Sequence, residues 1–111
     1  MMGVSQSNLD APVTKGTTGI VVLAQSEMRG PEIYPCIHCG RCLDACPVFL
    51  NPSALGEYAM RERYEDMEPL HLADCMLCGS CSYVCPSNIP LAQLFSFSKV
   101  GLRRRKAAAV A

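Results

Sequence analysis

The chain has 111 residues, half of them apolar, which suffices for one domain or part of one. So short a chain buries proportionally little surface and usually needs a disulfide, a metal or a partner for stability. The net charge is zero, but residues 31–86 hold eight acids and three bases, whereas residues 87–111 hold five bases and no acid. The first residues lack the basic and apolar regions of a secretory leader, and the early apolar run Ile20–Ala24 is too short to span a membrane, so we expect an intracellular, reducing compartment.

Residues 1–34 are rich in Gly, Thr, Ser and Val. Val13–Lys15 and Gly19–Ala24 predict two short strands joined by a turn at residues 16–18. Because two strands do not form a stable sheet alone, we expect this zone to be a short β segment or a linker from a preceding domain.

Residues 35–86 contain an internal repeat. The stretch CIHCGRCLDACP at 36–47 aligns without gaps to CMLCGSCSYVCP at 75–86, and the four cysteines, the glycine and the proline recur. Between the two stretches, Asn51 and Pro52 predict the start of a helix with Leu55 and Ala59 on its apolar face, which Pro69 ends or interrupts. A second short helix is expected to run from there toward the second repeat.

Residues 89–106 predict a closing helix. Its apolar stripe consists of Leu91, Leu94, Phe95, Ser98 and Leu102, and Arg103 to Lys106 fall in its last turn, where cations complement the helix dipole. Two interpretations of this basic segment stay open. It offsets the acidic middle of the chain and its anionic clusters, or it attracts an acidic partner or an anionic membrane surface.

Each cysteine quartet reads C-x2-C-x2-C-x3-C-P, a spacing typical of 4Fe-4S clusters. Three cysteines spaced by two residues wrap one side of a cubane, and in two-cluster ferredoxins the fourth cysteine ligates the other cluster. We therefore expect a crossed assignment that staples the two halves of the repeat together. The first cluster takes Cys36, Cys39, Cys42 and Cys85, and the second takes Cys75, Cys78, Cys81 and Cys46.

Two other uses of eight cysteines suit this spacing less well. Zinc sites usually use two separated CxxC pairs, so the third cysteine at the next step would be surplus, and disulfides require an oxidising compartment. His38 lies between two predicted ligands and is expected to adjust a potential, while His71 is expected to be a surface or packing residue. Ile37, Leu43, Val48, Leu77, Val84 and Ile89 are expected to shield the clusters from water.

The motifs PCIHCGRCLDACP, DCMLCGSCSYVCPSNIPL at 74–91 and KGTTGIVVL at 15–23, together with MMG and LDAPVTKGTTGI near the start, resemble the RnfC (or RsxC) subunit of the Rnf electron-transport complex. The resemblance implies a peripheral subunit on the cytoplasmic face of the inner membrane, within a ferredoxin:NAD oxidoreductase coupled to sodium or proton movement. It implies two 4Fe-4S clusters in a module like helical ferredoxins, which the 28 residues between Cys46 and Cys75 also favour.

In that family, domains that bind FMN and NADH precede the cluster module, and no such motif occurs here. The resemblance thus implies a C-terminal portion of such a subunit, or a truncated or split version, with no catalytic hydride site. The expected partners are other subunits of a membrane complex, a flavin/NADH-binding domain and ferredoxin-like electron carriers, but not nucleic acid.

The prediction is a mainly α fold, with residues 1–34 as the β segment or linker and residues 35–111 as a helical-ferredoxin-like domain with two 4Fe-4S clusters. The first functional hypothesis is an electron relay within an Rnf-type complex. A free-standing dicluster ferredoxin is the second, and a zinc-binding interaction module is the third.

Overall fold

The computed structural model describes residue 6, residues 8–28 and residues 30–110, so the MMG tripeptide lies outside the described part. Its helices are two single turns, α1 (Arg41–Asp44) and α3 (Ser80–Tyr83), and two longer elements, α2 (Pro52–Met60) and α4 (Leu91–Val110). Two 3₁₀ turns, Glu65–Met67 and Leu72–Asp74, connect α2 to the second repeat. The mainly α prediction is confirmed for these residues.

The predicted β segment is wrong. Neither Val13–Lys15 nor Gly19–Ala24 forms a strand in the described part of the chain, and Val22 is 88% exposed. A turn is present at residues 14–17, slightly before the predicted residues 16–18, and the Thr17 N–H donates to the Thr14 carbonyl at 3.0 Å. The β-branched residues favour an extended backbone, but no packed face covers them, and a strand is stabilised by its cross-strand and same-face neighbours.

Helix α2 begins as the sequence predicts. The Asn51 side chain accepts a hydrogen bond from the Ala54 N–H at 3.1 Å, and Pro52 occupies the first turn, where its missing N–H costs nothing. The helix ends at Met60, well before Pro69, because Glu62 takes a left-handed backbone (φ 55°) that no helix can continue. Pro69 instead lies between the two 3₁₀ turns.

The N-terminus of helix α4 is capped by a residue that lies outside the helix. The Ser82 hydroxyl in α3 accepts the Ala92 N–H at 2.9 Å, and Leu91, Phe95 and Ser98 are buried as the apolar stripe predicts. The helix runs to Val110 rather than ending at residue 106, so the prediction that Arg103 to Lys106 lie in its last turn is wrong. Alanine has the highest helix propensity, which explains the continuation through the alanine-rich end.

Helices α2 and α4 pack against each other and form the core with the two 3₁₀ turns. A Cβ built on Gly56 would lie 2.6 Å from the Leu91 Cδ2 atom, so glycine permits this close approach. Burial of a large apolar side chain contributes about 1.5–3 kcal/mol, and this core is small. Its apolar members are Leu55, Ala59, Met67, Leu72, Cys81, Ile89, Leu91 and Phe95.

Opposite charges join α4 to the first 3₁₀ turn. Arg105 pairs with Glu65 at 3.3 Å and Lys106 pairs with Glu68. The Arg105 guanidinium also lies 5.4 Å from the centre of the Tyr64 ring. Two tail cations therefore meet the acidic middle of the chain. None of the helices in the described residues has the length and apolarity needed to cross a membrane.

Candidate functional site

The sequence repeat is also a repeat of backbone conformation. Three positions in or just after each cysteine stretch have positive φ, and they are related by the same offset of 39 residues as the cysteines. They are His38, Gly40 and Phe49 for the first stretch, and Leu77, Gly79 and Asn88 for the second. Two loops with different side chains thus follow the same path, which indicates a common ligand geometry.

Left-handed residues turn successive N–H groups of a loop toward its concave side. Such concavities bind anions, including the sulfur atoms of iron–sulfur sites. Two N–H groups already point at cysteine sulfur here: His38 N lies 3.5 Å from the Cys36 Sγ and Leu50 N lies 3.3 Å from the Cys46 Sγ. The backbone therefore supplies donors suited to thiolates.

A cavity of about 240 Å³ lies inside the first loop. It brings together four cysteines, of which three belong to the first stretch and the fourth comes from the second: Cys36, Cys39, Cys42 and Cys85. The remaining cysteine of the first stretch, Cys46, is not among the residues that line this cavity. Ile89 and Leu91 form part of its apolar wall.

The environment of Cys42 favours its neutral thiol over the thiolate. Burial raises the pKa of Cys42, and the neighbouring thiols of Cys36, Cys39 and Cys85 raise it further. Burial of charge and like-charge proximity both oppose ionisation. Positively charged iron would reverse this balance, since a coordinating thiol is deprotonated by its metal.

The second stretch has one buried and one exposed thiol. Burial, followed by the proximity of Cys75 and Cys78, raises the pKa of Cys81 to about 11. Cys78 is exposed, and its hydrogen bond with the Ser80 hydroxyl lowers its pKa. The Ser80 Oγ lies 3.4 Å from the Cys78 Sγ.

The residues present fit a 4Fe-4S cluster in the first cavity. Four thiols surround a space that holds several water volumes of about 30 Å³ each. Zinc instead needs its ligand atoms about 2.0–2.3 Å from one central ion. Within the described ranges, no three His, Cys, Asp or Glu side chains converge so closely.

The two histidines and the predicted apolar shields have mixed outcomes. His38 lines the first cavity with an exposed side chain, and His71 is a surface residue that lies 3.7 Å from Asp74, as predicted. Ile89 is buried, and Leu77 and Val84 are half-buried. Ile37 lines the first cavity with an exposed side chain, and Leu43 and Val48 are exposed, so a shielding role for these three stays a prediction.

Three polar residues near the cysteines were not found from the sequence. The Ser53 hydroxyl lies 3.9 Å from the Cys36 Sγ, Ser80 contacts Cys78, and the Lys99 ammonium donates to the Cys75 carbonyl oxygen. Serine is too common to signal a site, and Lys99 lies 24 residues from its partner. Alignment of the two helices with the 39-residue offset pairs Lys99 with Met60, and this difference in charge is the signal that the sequence offered.

A family model described as a 4Fe-4S dicluster domain matches residues 32–89. The C subunit of the ion-translocating oxidoreductase complex of Rhodobacter capsulatus is 43% identical over 106 residues, covering 96% of this chain and 20% of its own length. The C subunit of the proton-translocating ferredoxin:NAD(+) oxidoreductase complex of Clostridium ljungdahlii is 46% identical over 66 residues, covering 60% of this chain and 14% of its own. The C subunit of the ion-translocating oxidoreductase complex of Pasteurella multocida is 45% identical over 100 residues, or 89% of this chain and 12% of that protein. The chain thus spans a fifth or less of these three relatives.

Proposed function

The chain belongs to the family of 4Fe-4S dicluster domains, and on that basis we propose that it relays single electrons through two 4Fe-4S clusters as part of an RnfC-like subunit. The single observation that carries the proposal is the first cavity, where Cys85 from the second stretch joins Cys36, Cys39 and Cys42. By the symmetry of the repeat, Cys46 serves the second cluster with Cys75, Cys78 and Cys81. Each cluster, when bound, takes up and releases one electron.

The chain's own residues hold and shield these groups. The eight thiols supply every ligand that two cubanes need, and the left-handed loops aim N–H groups at sulfur, which raises reduction potential. Helices α2 and α4 fix the loops through the core, and buried Ile89 and Leu91 keep water from part of the first cavity.

The domain boundary is part of this proposal. Residues 35–111 form the dicluster domain, and residues 1–34 are a linker from a preceding domain. Hydrogen bonds attach the end of this linker to the second stretch: Tyr34 N to the Ser87 carbonyl at 3.0 Å and Asn88 Nδ2 to the Glu32 carbonyl at 3.1 Å. The family model matches residues 32–89, so its match begins close to this boundary.

The wider setting is proposed from the relatives. They are named as subunits of ferredoxin:NAD(+) and ion-translocating oxidoreductase complexes. We place this chain in such a complex, peripherally on the cytoplasmic face of the inner membrane. Its electrons pass between a flavin/NADH-binding domain or ferredoxin-like carriers and the membrane subunits. Co-purification with membrane subunits tests this setting, and a chain that binds none of them would be a free-standing ferredoxin.

Anaerobic purification with iron and acid-labile sulfide analysis tests the cofactor. Two cubanes predict about eight irons and about eight sulfides per chain, with the EPR signals of reduced 4Fe-4S clusters. Zinc without sulfide would contradict the proposal.

Four single variants test the crossed assignment. Cys39→Ala and Cys85→Ala should perturb the same EPR signal, while Cys78→Ala and Cys46→Ala should perturb the other. If Cys46→Ala instead alters the signal that Cys39→Ala alters, each cluster is held within one stretch and the crossed assignment is wrong.

A further inference from the structure

Lys99 in α4 holds the backbone of a proposed ligand to the second cluster. Its half-buried ammonium donates to the carbonyl oxygen of Cys75 and, at 3.0 Å, to that of Ala73. Both partners lie in the loop that leads into the second cysteine stretch, more than 20 residues away in the chain. A positive charge is thus anchored beside the backbone of a cysteine ligand.

The internal repeat supplies a matched comparison for this charge. With the 39-residue offset, Lys99 in α4 corresponds to Met60 in α2, and Met60 lines the first cavity. The two halves of the domain therefore differ in charge at this equivalent position. A cation faces the second cysteine stretch where a neutral thioether faces the first cavity.

The other charged side chains near the two sites are exposed. Arg41 and Asp44 in the first stretch have opposite signs, and both side chains are exposed. Glu57 lines the first cavity, but Arg61 neutralises it at 2.9 Å. Asp74 precedes Cys75, but its side chain is 69% exposed and lies 3.7 Å from His71. Solvent screens an exposed carboxylate more strongly than it screens the half-buried ammonium of Lys99.

We propose that Lys99 raises the reduction potential of the second cluster above that of the first. This inference rests on the proposed function. Reduction adds one negative charge to a cluster, and a nearby cation stabilises that reduced form. When the two clusters together hold one electron, the second cluster is therefore the reduced one and the first cluster is the oxidised one. The charge of Lys99 thus determines on which of the two clusters the electron resides.

Redox titration of the cluster-loaded chain, followed by EPR, tests this role. Lys99→Gln keeps an N–H donor on the side chain but removes the charge. We expect one of the two midpoint potentials to fall, so that at a fixed solution potential the ratio of reduced to oxidised cluster drops about tenfold, which corresponds to about 59 mV for a one-electron couple. The other potential should stay unchanged. Lys99→Arg, which keeps the charge, should retain the wild-type potentials.

The reciprocal variant Met60→Lys should raise the other midpoint potential. Its effect should be smaller and more sensitive to salt, because Met60 is 52% exposed. If Lys99→Gln fails to load its clusters, Met60→Lys decides alone: a rise supports the inference and no change overturns it. Unchanged potentials in a loaded Lys99→Gln chain would also overturn it.

Iron and sulfide counts on each protein distinguish failure of the proposed function from failure of the inference about Lys99. A wild-type chain without clusters would contradict the proposed function. A fully loaded chain whose potentials do not change with the charge at residue 99 would contradict only the inference about Lys99.

Discussion

Single residues give the cysteines of the second stretch opposite chemical characters. Cys78 and Cys81 lie three positions apart, yet the exposed Cys78 has a lowered pKa through the Ser80 hydroxyl, while burial raises the pKa of Cys81 to about 11. The C-x2-C spacing does not predict this difference in pKa. It arises because α3 turns one thiol toward the core and leaves the other at the surface.

Thiol alkylation of the iron-free chain at low temperature should reveal this contrast. Only the thiolate reacts, so at pH 8 Cys78 should be modified by iodoacetamide at least about tenfold faster than Cys81. As the pH rises toward 11, Cys81 becomes ionised and the gap should narrow. Ser80→Ala should slow the reaction at Cys78 and leave Cys81 unaffected. Equal rates at pH 8, measured by peptide mass spectrometry, would contradict the different environments of the two thiols.

At the scale of elements, the fold depends on the contact between α2 and α4. Gly56 lies in the middle of α2, where glycine lowers helix propensity, but it is buried against Leu91 at the start of α4. The close approach brings the ends of both cysteine stretches together, since each helix begins shortly after the last cysteine of its own stretch.

Gly56→Ala should destabilise the domain in spite of the better helix former. The added methyl group would lie 2.6 Å from Leu91, which is 4% exposed and has little room to move. Overpacking of this kind costs about 1–3 kcal/mol, and the gain in helix propensity recovers about 1 kcal/mol. We expect a net loss of about 1 kcal/mol in urea unfolding. Gly19→Ala, at a site with open space, should change the free energy by less than about 0.5 kcal/mol.

The ion pairs between α4 and the first 3₁₀ turn should contribute little. Both side chains of the Lys106–Glu68 pair are more than half exposed. A double-mutant cycle on Lys106 and Glu68 should give a coupling of about 0.2–1 kcal/mol that disappears in about 1 M salt. A larger coupling that persists in high salt would indicate that the pair is shielded from solvent.

At the scale of the whole molecule, the clusters should supply stability that the core lacks. Among the residues that the structure describes, eight buried apolar residues form the core, and most of the cysteines lie outside it in loops. Small domains of this kind commonly depend on a bound metal, and cluster binding free energy adds directly to folding.

Anaerobic removal of iron with a chelator should lower the melting temperature by at least about 10 °C, because 1 kcal/mol shifts it by about 4–8 °C in a small domain. Helices α2 and α4 should survive at low temperature, since their contact does not involve iron. Hydrogen exchange should increase most at residues 36–46 and 75–85. Unchanged melting after complete iron loss would contradict a structural role for the clusters.

Local signals in the chain predicted much of this protein. The cysteine spacing indicated a dicluster domain, the family match confirms that class, and Asn51, Pro52 and the stripe from Leu91 to Ser98 identified α2 and α4. The predictions failed where the outcome depends on contacts between distant residues. Val13–Lys15 and Gly19–Ala24 have strand-forming residues but no sheet to join, and Ser82, ten residues before Ala92, gave no sign that it caps α4.

The sequence by itself determined the chemistry, because ligand type and spacing are written in adjacent residues. The spacing also predicted that Cys85 joins the first three cysteines, but which thiols are buried and which charges lie beside them were decided by the tertiary structure, through the packing of α2 on α4. Cys85 is far along the chain from the three cysteines it joins, and Lys99 lies 24 residues from Cys75. Residues so far apart in the chain come together only when the apolar faces of the helices are removed from water, and no local sequence pattern predicts which residues then meet.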